Sequence, residues 1–190
     1  TMPHTHQCCE NLLVSISDKT KRYRRMQQAF LLHLQQTLLG ITCNCAPLDD
    51  GSRPYTLEET ITLNKKAIEI LNTVFEDGDY GTLYSMYFTQ YHLNIASFYA
   101  RLGNCDETIR YLNLAKELAI RNDQTEPNSI LAHTSLIVRG YKYQNIFYGN
   151  NENNSLHQLN EMNDSIYDFI RENAEFKHIV VELQRHAATR

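Results

Sequence analysis

Two apolar stripes at helical spacing, separated by a single Gly-Asn break, constrain this chain more than any other feature. The first runs through Tyr84, Tyr87, Tyr91, Ile95, Phe98 and Leu102; the second through Ile109, Leu112, Ala115 and Ala119. Steps of three and four residues place each set on one face of a helix. Gly103 stops the first helix, and Asn104 caps the next, with Glu107 at its third position. A break this short makes the two helices antiparallel neighbours. The small Ala96 and Ala115 allow them to approach closely.

Residues 88–121 therefore resemble a 34-residue tetratricopeptide repeat. Tyr91, Ile95, Ala96, Tyr99, Gly103, Leu112 and Ala115 fall at its signature positions, and Thr108 stands where the repeat usually has Ala. One such unit cannot bury its face alone, so it needs stacked neighbours. Helices over 57–75 and 129–148 are the expected ones. The first begins at a capping box, Thr56-Leu57-Glu58-Glu59, and the second follows Pro127, which suits a first helical turn. Further helices are expected over 5–17, 20–39, 155–172 and 174–187, with 41–55 as a long connection. The 20–39 helix would bury Tyr23, Met26, Phe30, Leu34 and Leu38 and stop at Gly40. Only four prolines and seven glycines punctuate 190 residues, which favours helices over a many-stranded sheet. The expected fold is all-α without a sheet: one domain, 1–190, of antiparallel helix pairs stacked as a tetratricopeptide-like superhelix, with 1–40 as an N-terminal helical extension.

Composition narrows function by exclusion. The formal net charge of −4 makes the bulk of the chain a poor nucleic-acid binder. No apolar run approaches the roughly 20 residues of a membrane span, and no signal peptide is visible. Five cysteines, among them Cys8-Cys9 and Cys43-Asn44-Cys45, match neither a disulfide framework nor usual zinc spacings. They read as reduced thiols of a cytoplasmic protein. Glu76, Asp77 and Asp79 fail the calcium-loop pattern and read as a solvated turn. His92 and His133 lack carboxylate or Cys partners at ligand spacing. Ser85, Ser97 and Ser135 lack a nucleophile elbow. No enzyme, metal or cofactor is expected.

A wider pattern covers about 60–185: Lys66-Ala67-Ile68-Glu69-Ile70-Leu71, Phe75-Glu76-Asp77-Gly78-Asp79-Tyr80-Gly81, His133-Thr134-Ser135-Leu136-Ile137-Val138, and Phe169 through Lys177. With the repeat between them, these segments resemble the C-terminal regions of Firmicutes helix-turn-helix regulators of the xenobiotic-response-element type. That resemblance implies the regulatory half of a transcriptional regulator. It implies ligand sensing or dimerisation, a homodimer, and DNA contact only through an N-terminal domain that this chain lacks. A stand-alone interaction scaffold without a DNA role and a chaperone-like adaptor holding a C-terminal peptide tail are the other readings that the residues allow.

The expected site is the concave face, taken as the inner side of the 81–102 helix. Tyr84, Tyr87, Tyr91, Asn94, Arg101 and Tyr141 are its candidates for holding a peptide, a protein or a small effector. Tyr supplies apolar area and a hydroxyl together, and an Asn amide clamps a peptide backbone. Tyr80, Tyr99, Tyr143 and Tyr148 extend the row, and core packing accounts for many tyrosines equally well. The basic run Lys19, Lys21, Arg22, Arg24 and Arg25 reads either as a solvated helix start or as a contact for DNA phosphates.

Overall fold

The computed structural model describes residues 17–44, 48–126, 128–144 and 152–188. Helices α1 (Lys19–Asn44), α2 (Leu57–Val74), α3 (Gly81–Arg101) and α4 (Cys105–Asp123) come first. A hairpin of β1 (Ile130–Ala132) and β2 (Lys142–Gln144) follows, then α5 (Asn154–Met162) and α6 (Ala174–His186). Short 3-10 turns cover Glu76–Gly78, Leu136–Val138 and Ser165–Ile170. The protein is mostly helical, as the periodicity predicts. Among the described residues no helix is long and apolar enough to cross a membrane.

Local chemistry sets the helix ends. Thr56 and Glu59 form the reciprocal capping box that starts α2. Asn104, Asn153 and Asn173 each accept a backbone N–H at the start of α4, α5 and α6. Gly103 takes φ of 70°, which lets the Asn104 amide reach back to the Tyr99 carbonyl at 3.0 Å and close α3. The α3–α4 pair is the centre of the fold. Ile95, Ala96, Leu112 and Ala115 have no exposed surface and belong to one cluster, which α5 and α6 complete through Met162, Phe176, Ile179 and Leu183. A second cluster joins α1, α2 and the N-terminal half of α3 through Leu34, Leu38, Leu71, Phe75, Tyr84 and Tyr91.

Several expectations need correction. The segment 129–148 does not begin a helix; its described part is the antiparallel β1–β2 hairpin, with Ile130 paired to Gln144 and Ala132 to Lys142. The reason is tertiary. Asp79 accepts consecutive amides, Thr134 N at 2.7 Å and Ser135 N at 2.9 Å, and a helix interior would not release both. Asn128 and Gly140 also sit at positive φ. Helix α1 runs through Gly40 to Asn44, and the buried stripe is Gln27, Leu31, Leu34 and Leu38. Tyr23 and Met26, expected inside, are about half exposed. The expected 155–172 helix breaks after Met162 into a 3-10 segment. The expected 5–17 helix and Tyr148 lie outside the described residues.

Candidate functional site

The aromatic row of α3 faces α1. Tyr84 donates its hydroxyl to the Leu31 carbonyl at 2.7 Å, and Tyr91 donates to the Leu38 carbonyl at 3.0 Å. Between them Gln35 donates to the Tyr87 hydroxyl over a long 3.5 Å. Partners rise together along both helices, so α1 and α3 run parallel. The rings of Tyr84, Tyr87 and Tyr91 succeed one another at 6.4 Å between centroids. Burial holds the Tyr84 hydroxyl well above the usual phenol range, with the neighbouring Tyr87 and Tyr141 as smaller causes. It therefore stays a donor.

Where α1 and α3 diverge at their outer edge, a cleft of about 340 Å³ opens. Gln28, Leu32 and Gln35 of α1 form one wall, and Leu83 and Tyr84 of α3 the floor. Tyr141, Lys142 and Tyr143 from the hairpin close the end. The lining mixes carboxamides and phenols with leucines, which can both bury apolar groups and satisfy backbone amides.

The hairpin wall is held firmly. Asp79 accepts from Thr134 N, Ser135 N and the Ser135 hydroxyl through one carboxylate oxygen, while His133 Nδ1 meets the Asp79 backbone carbonyl at 3.0 Å and the carboxylate at 3.3 Å. The Ser135 hydroxyl meets the Glu76 amide as well. The His133 ring packs at a tilt against Tyr143, 4.5 Å between centroids, and against Phe75 at 5.3 Å. Gly81, at φ of 64°, lies beneath both rings; a Cβ there would stand 3.0 Å from His133 Cε1 and 3.2 Å from Tyr143 Cζ. Ser135 and His133 thus both fasten to Asp79, the imidazole chiefly to its carbonyl, and the serine donates to the Asp79 carboxylate rather than to the imidazole. That arrangement fastens a loop and does not activate a nucleophile. Asp79, expected in a solvated turn, is the anchor of the hairpin. Among the described residues no group of His, Cys, Asp and Glu is arranged to hold a metal ion.

Comparison with protein-family models, curated proteins and solved structures finds no match to this chain.

Of the six expected site residues, the cleft gathers Tyr84 and Tyr141, and Tyr87 borders it through Gln35. Tyr91 is fully buried, its hydroxyl bonded to α1. Asn94 joins Asn64 at 3.2 Å and Gln90 at 3.0 Å inside the helix layer. Arg101 is exposed at the far end of α3. Gln28, Leu32, Gln35 and Lys142 went unread. The seven-residue repeat of Gln28 and Gln35 beside Leu31 and Leu38 is the available signal, because it places amides along the edge of a buried stripe.

Proposed function

We propose that the chain is the ligand-sensing or dimerising regulatory domain of a cytoplasmic bacterial transcriptional regulator, and that an extended peptide segment occupies the cleft between α1, α3 and the hairpin. The pairs α1–α2, α3–α4 and α5–α6 are read as stacked tetratricopeptide-like units, with α1 and α3 as parallel first helices. In that register the tyrosine row is the glue between two units, and the concave surface begins one residue-column further round, at Gln28, Leu32, Gln35 and Leu83. The observation that carries the peptide reading is the pairing of side-chain amides with leucines and phenols along one open cleft. A peptide backbone needs regularly placed donors and acceptors, and its side chains need apolar footing.

A switch follows from the same geometry. A ligand that prefers one spacing of α1 and α3 shifts the population of that spacing and so moves whatever is attached to α1. A stand-alone interaction scaffold would use the same cleft without the DNA partner.

The test is selection of displayed random peptides of about ten residues, longer than the wall of about 10 Å from Gln28 to Gln35 so that every register is presented, on the full chain. Affinity of the winners is then measured against Leu32→Asp and Gln35→Ala. Loss of at least tenfold, with Lys177→Gln on α6 unchanged, supports the reading. Winners indifferent to both substitutions would place the binding surface elsewhere.

A further inference from the structure

Helix α1 holds five of the chain's 18 lysines and arginines and none of its 22 acidic residues. All five lie in its first two turns: Lys19, Lys21, Arg22, Arg24 and Arg25. Among the described residues none of them enters an ion pair, whereas other cations do: Lys66 meets Glu69, and Arg110 meets Glu107. Arg24 points to the hairpin and donates to the Gly140 carbonyl. The other four project from the sides of α1 that are turned away from its buried stripe, and Lys19, Lys21 and Arg25 are exposed. They span about 9 Å along the axis at the rise of an α-helix.

Folding alone disfavours this placement. Asp18 caps the helix start, its Oδ1 accepting from Lys21 N at 3.0 Å, but the five cations that follow oppose the helix dipole. Lys21 with Arg25, at a four-residue step, and Lys19 with Arg22, at three, repel each other along the surface. A merely solvated helix start gains nothing from such repeated like charge, whereas a linear array of phosphates repays it. The hairpin continues the positive edge with the exposed Arg139 and Lys142, and Gln27 binds the Arg139 carbonyl at 3.1 Å to hold the two elements together.

We infer that the first two turns of α1 form a strip for the phosphodiester backbone of a nucleic acid, contacted without reading its sequence. A lipid surface fits less well. A membrane-bound basic helix needs one continuous free apolar face beside its charges; Leu31, Leu34 and Leu38 of α1 are spent in the core, and its exposed Tyr23, Met26, Leu32 and Leu39 fall on different sides of the helix. The rest of the molecule, with its acidic excess, keeps the contact local and weak. The inference stands on the charge of α1; the strip adjoins the cleft through Lys142 and through Arg25, which donates to Gln28 Oε1 at 3.2 Å.

The test uses the full chain and fluorescence anisotropy with a mixed-sequence duplex of about 20 base pairs, as DNA and as RNA. Three or four phosphate contacts predict that affinity drops on the order of 100-fold between about 50 and 200 mM salt. Replacing Lys19, Lys21, Arg22 and Arg25 together by Gln lowers affinity at the lower salt at least tenfold and flattens the salt dependence. The thermal midpoint of that variant stays the same or rises, because its charges opposed the dipole. Lys66→Gln leaves binding unchanged. Which duplex binds better identifies the nucleic acid. No binding to either duplex, binding that survives the four substitutions, or a fall in thermal midpoint that makes the cations structural would each overturn the inference. So would capture of phosphatidylserine vesicles or poly-glutamate in place of the duplexes. Failure of this experiment with peptide binding intact leaves the cleft reading standing.

Discussion

His92 lies on α3 between Phe88, whose ring meets it edge-on at 5.0 Å, and Tyr111 at 5.7 Å. Only 6% of its surface is exposed, and its Nδ1 finds no hydrogen-bond partner. Burial, with a smaller push from Arg110, lowers its pKa from 6.5 to about 4. The unfolded chain takes up a proton there near pH 6.5; the folded chain waits until about 4. Stability is therefore full above that window, falls as pH drops through it and levels off below, by about 3 kcal/mol at most. Urea melts from pH 7.5 to 4 should show less of this decline in His92→Phe than in the parent protein. Equal declines would mean that the imidazole is solvated. At Tyr91, truncation to Ala should cost about 3–5 kcal/mol, because a fully buried ring and its bond to Leu38 are lost. Tyr91→Phe should cost only about 1 kcal/mol. Chemical denaturation of both variants checks the pair, and a similar midpoint for the two would show that the hydroxyl, not the ring, is what matters.

Elements whose signals were local were legible in the sequence. The capping box at Thr56 and Glu59, the Gly103 turn and the Asn caps at 104 and 173 depend on residues within one turn of each other, so the sequence displays them directly. Ala115 has no exposed surface in α4, as the close approach of α3 and α4 requires. Ala115→Leu should cost about 1–3 kcal/mol by overpacking, and an unchanged denaturation midpoint would contradict its burial. The hairpin was illegible because its cause lies 55 residues upstream, in the carboxylate of Asp79. No periodicity in 129–148 carries that information. The face of α1 was misread for a different reason. Tyr23, Met26, Phe30, Leu31, Leu32, Leu34, Leu38 and Leu39 surround the helix, so several stripes fit equally, and only the tyrosines of α3 select one. Asp79→Ala should release the hairpin by removing three hydrogen bonds to a charged acceptor, about 2 kcal/mol or more. Hydrogen exchange then speeds up over 130–144 while the α4 amides keep their protection. Unchanged exchange in the hairpin would mean that Val138, fully buried against α1–α3, holds it without the carboxylate.

At the scale of the whole molecule, charge and shape divide the work. A basic first helix adjoins an acidic remainder, and the cleft lies where that helix meets the hairpin and α3. The isolated chain should therefore bind a nucleic-acid duplex, of whichever kind it prefers, without sequence preference. Two unrelated duplexes competing at about 150 mM salt should displace each other equally, since the contacts reach phosphates and not base edges. A strong preference would show a reading surface that the helices do not present. A larger rival among the described residues is an open groove of about 620 Å³ between α5 and α6, whose lining includes Leu159, Phe176, Val180 and Val181. Asn160, Asn163, Gln184, Arg171 and Lys177 give it polar groups too, but it has no phenol to match Tyr84, Tyr141 and Tyr143, and this difference favours the first cleft for a peptide. The most direct measurement is a hydrogen-exchange footprint of a selected peptide on the full chain. Protection confined to α1 around 28–35, the start of α3 and residues 141–144 is the predicted result; protection confined to α5 and α6 would contradict the account.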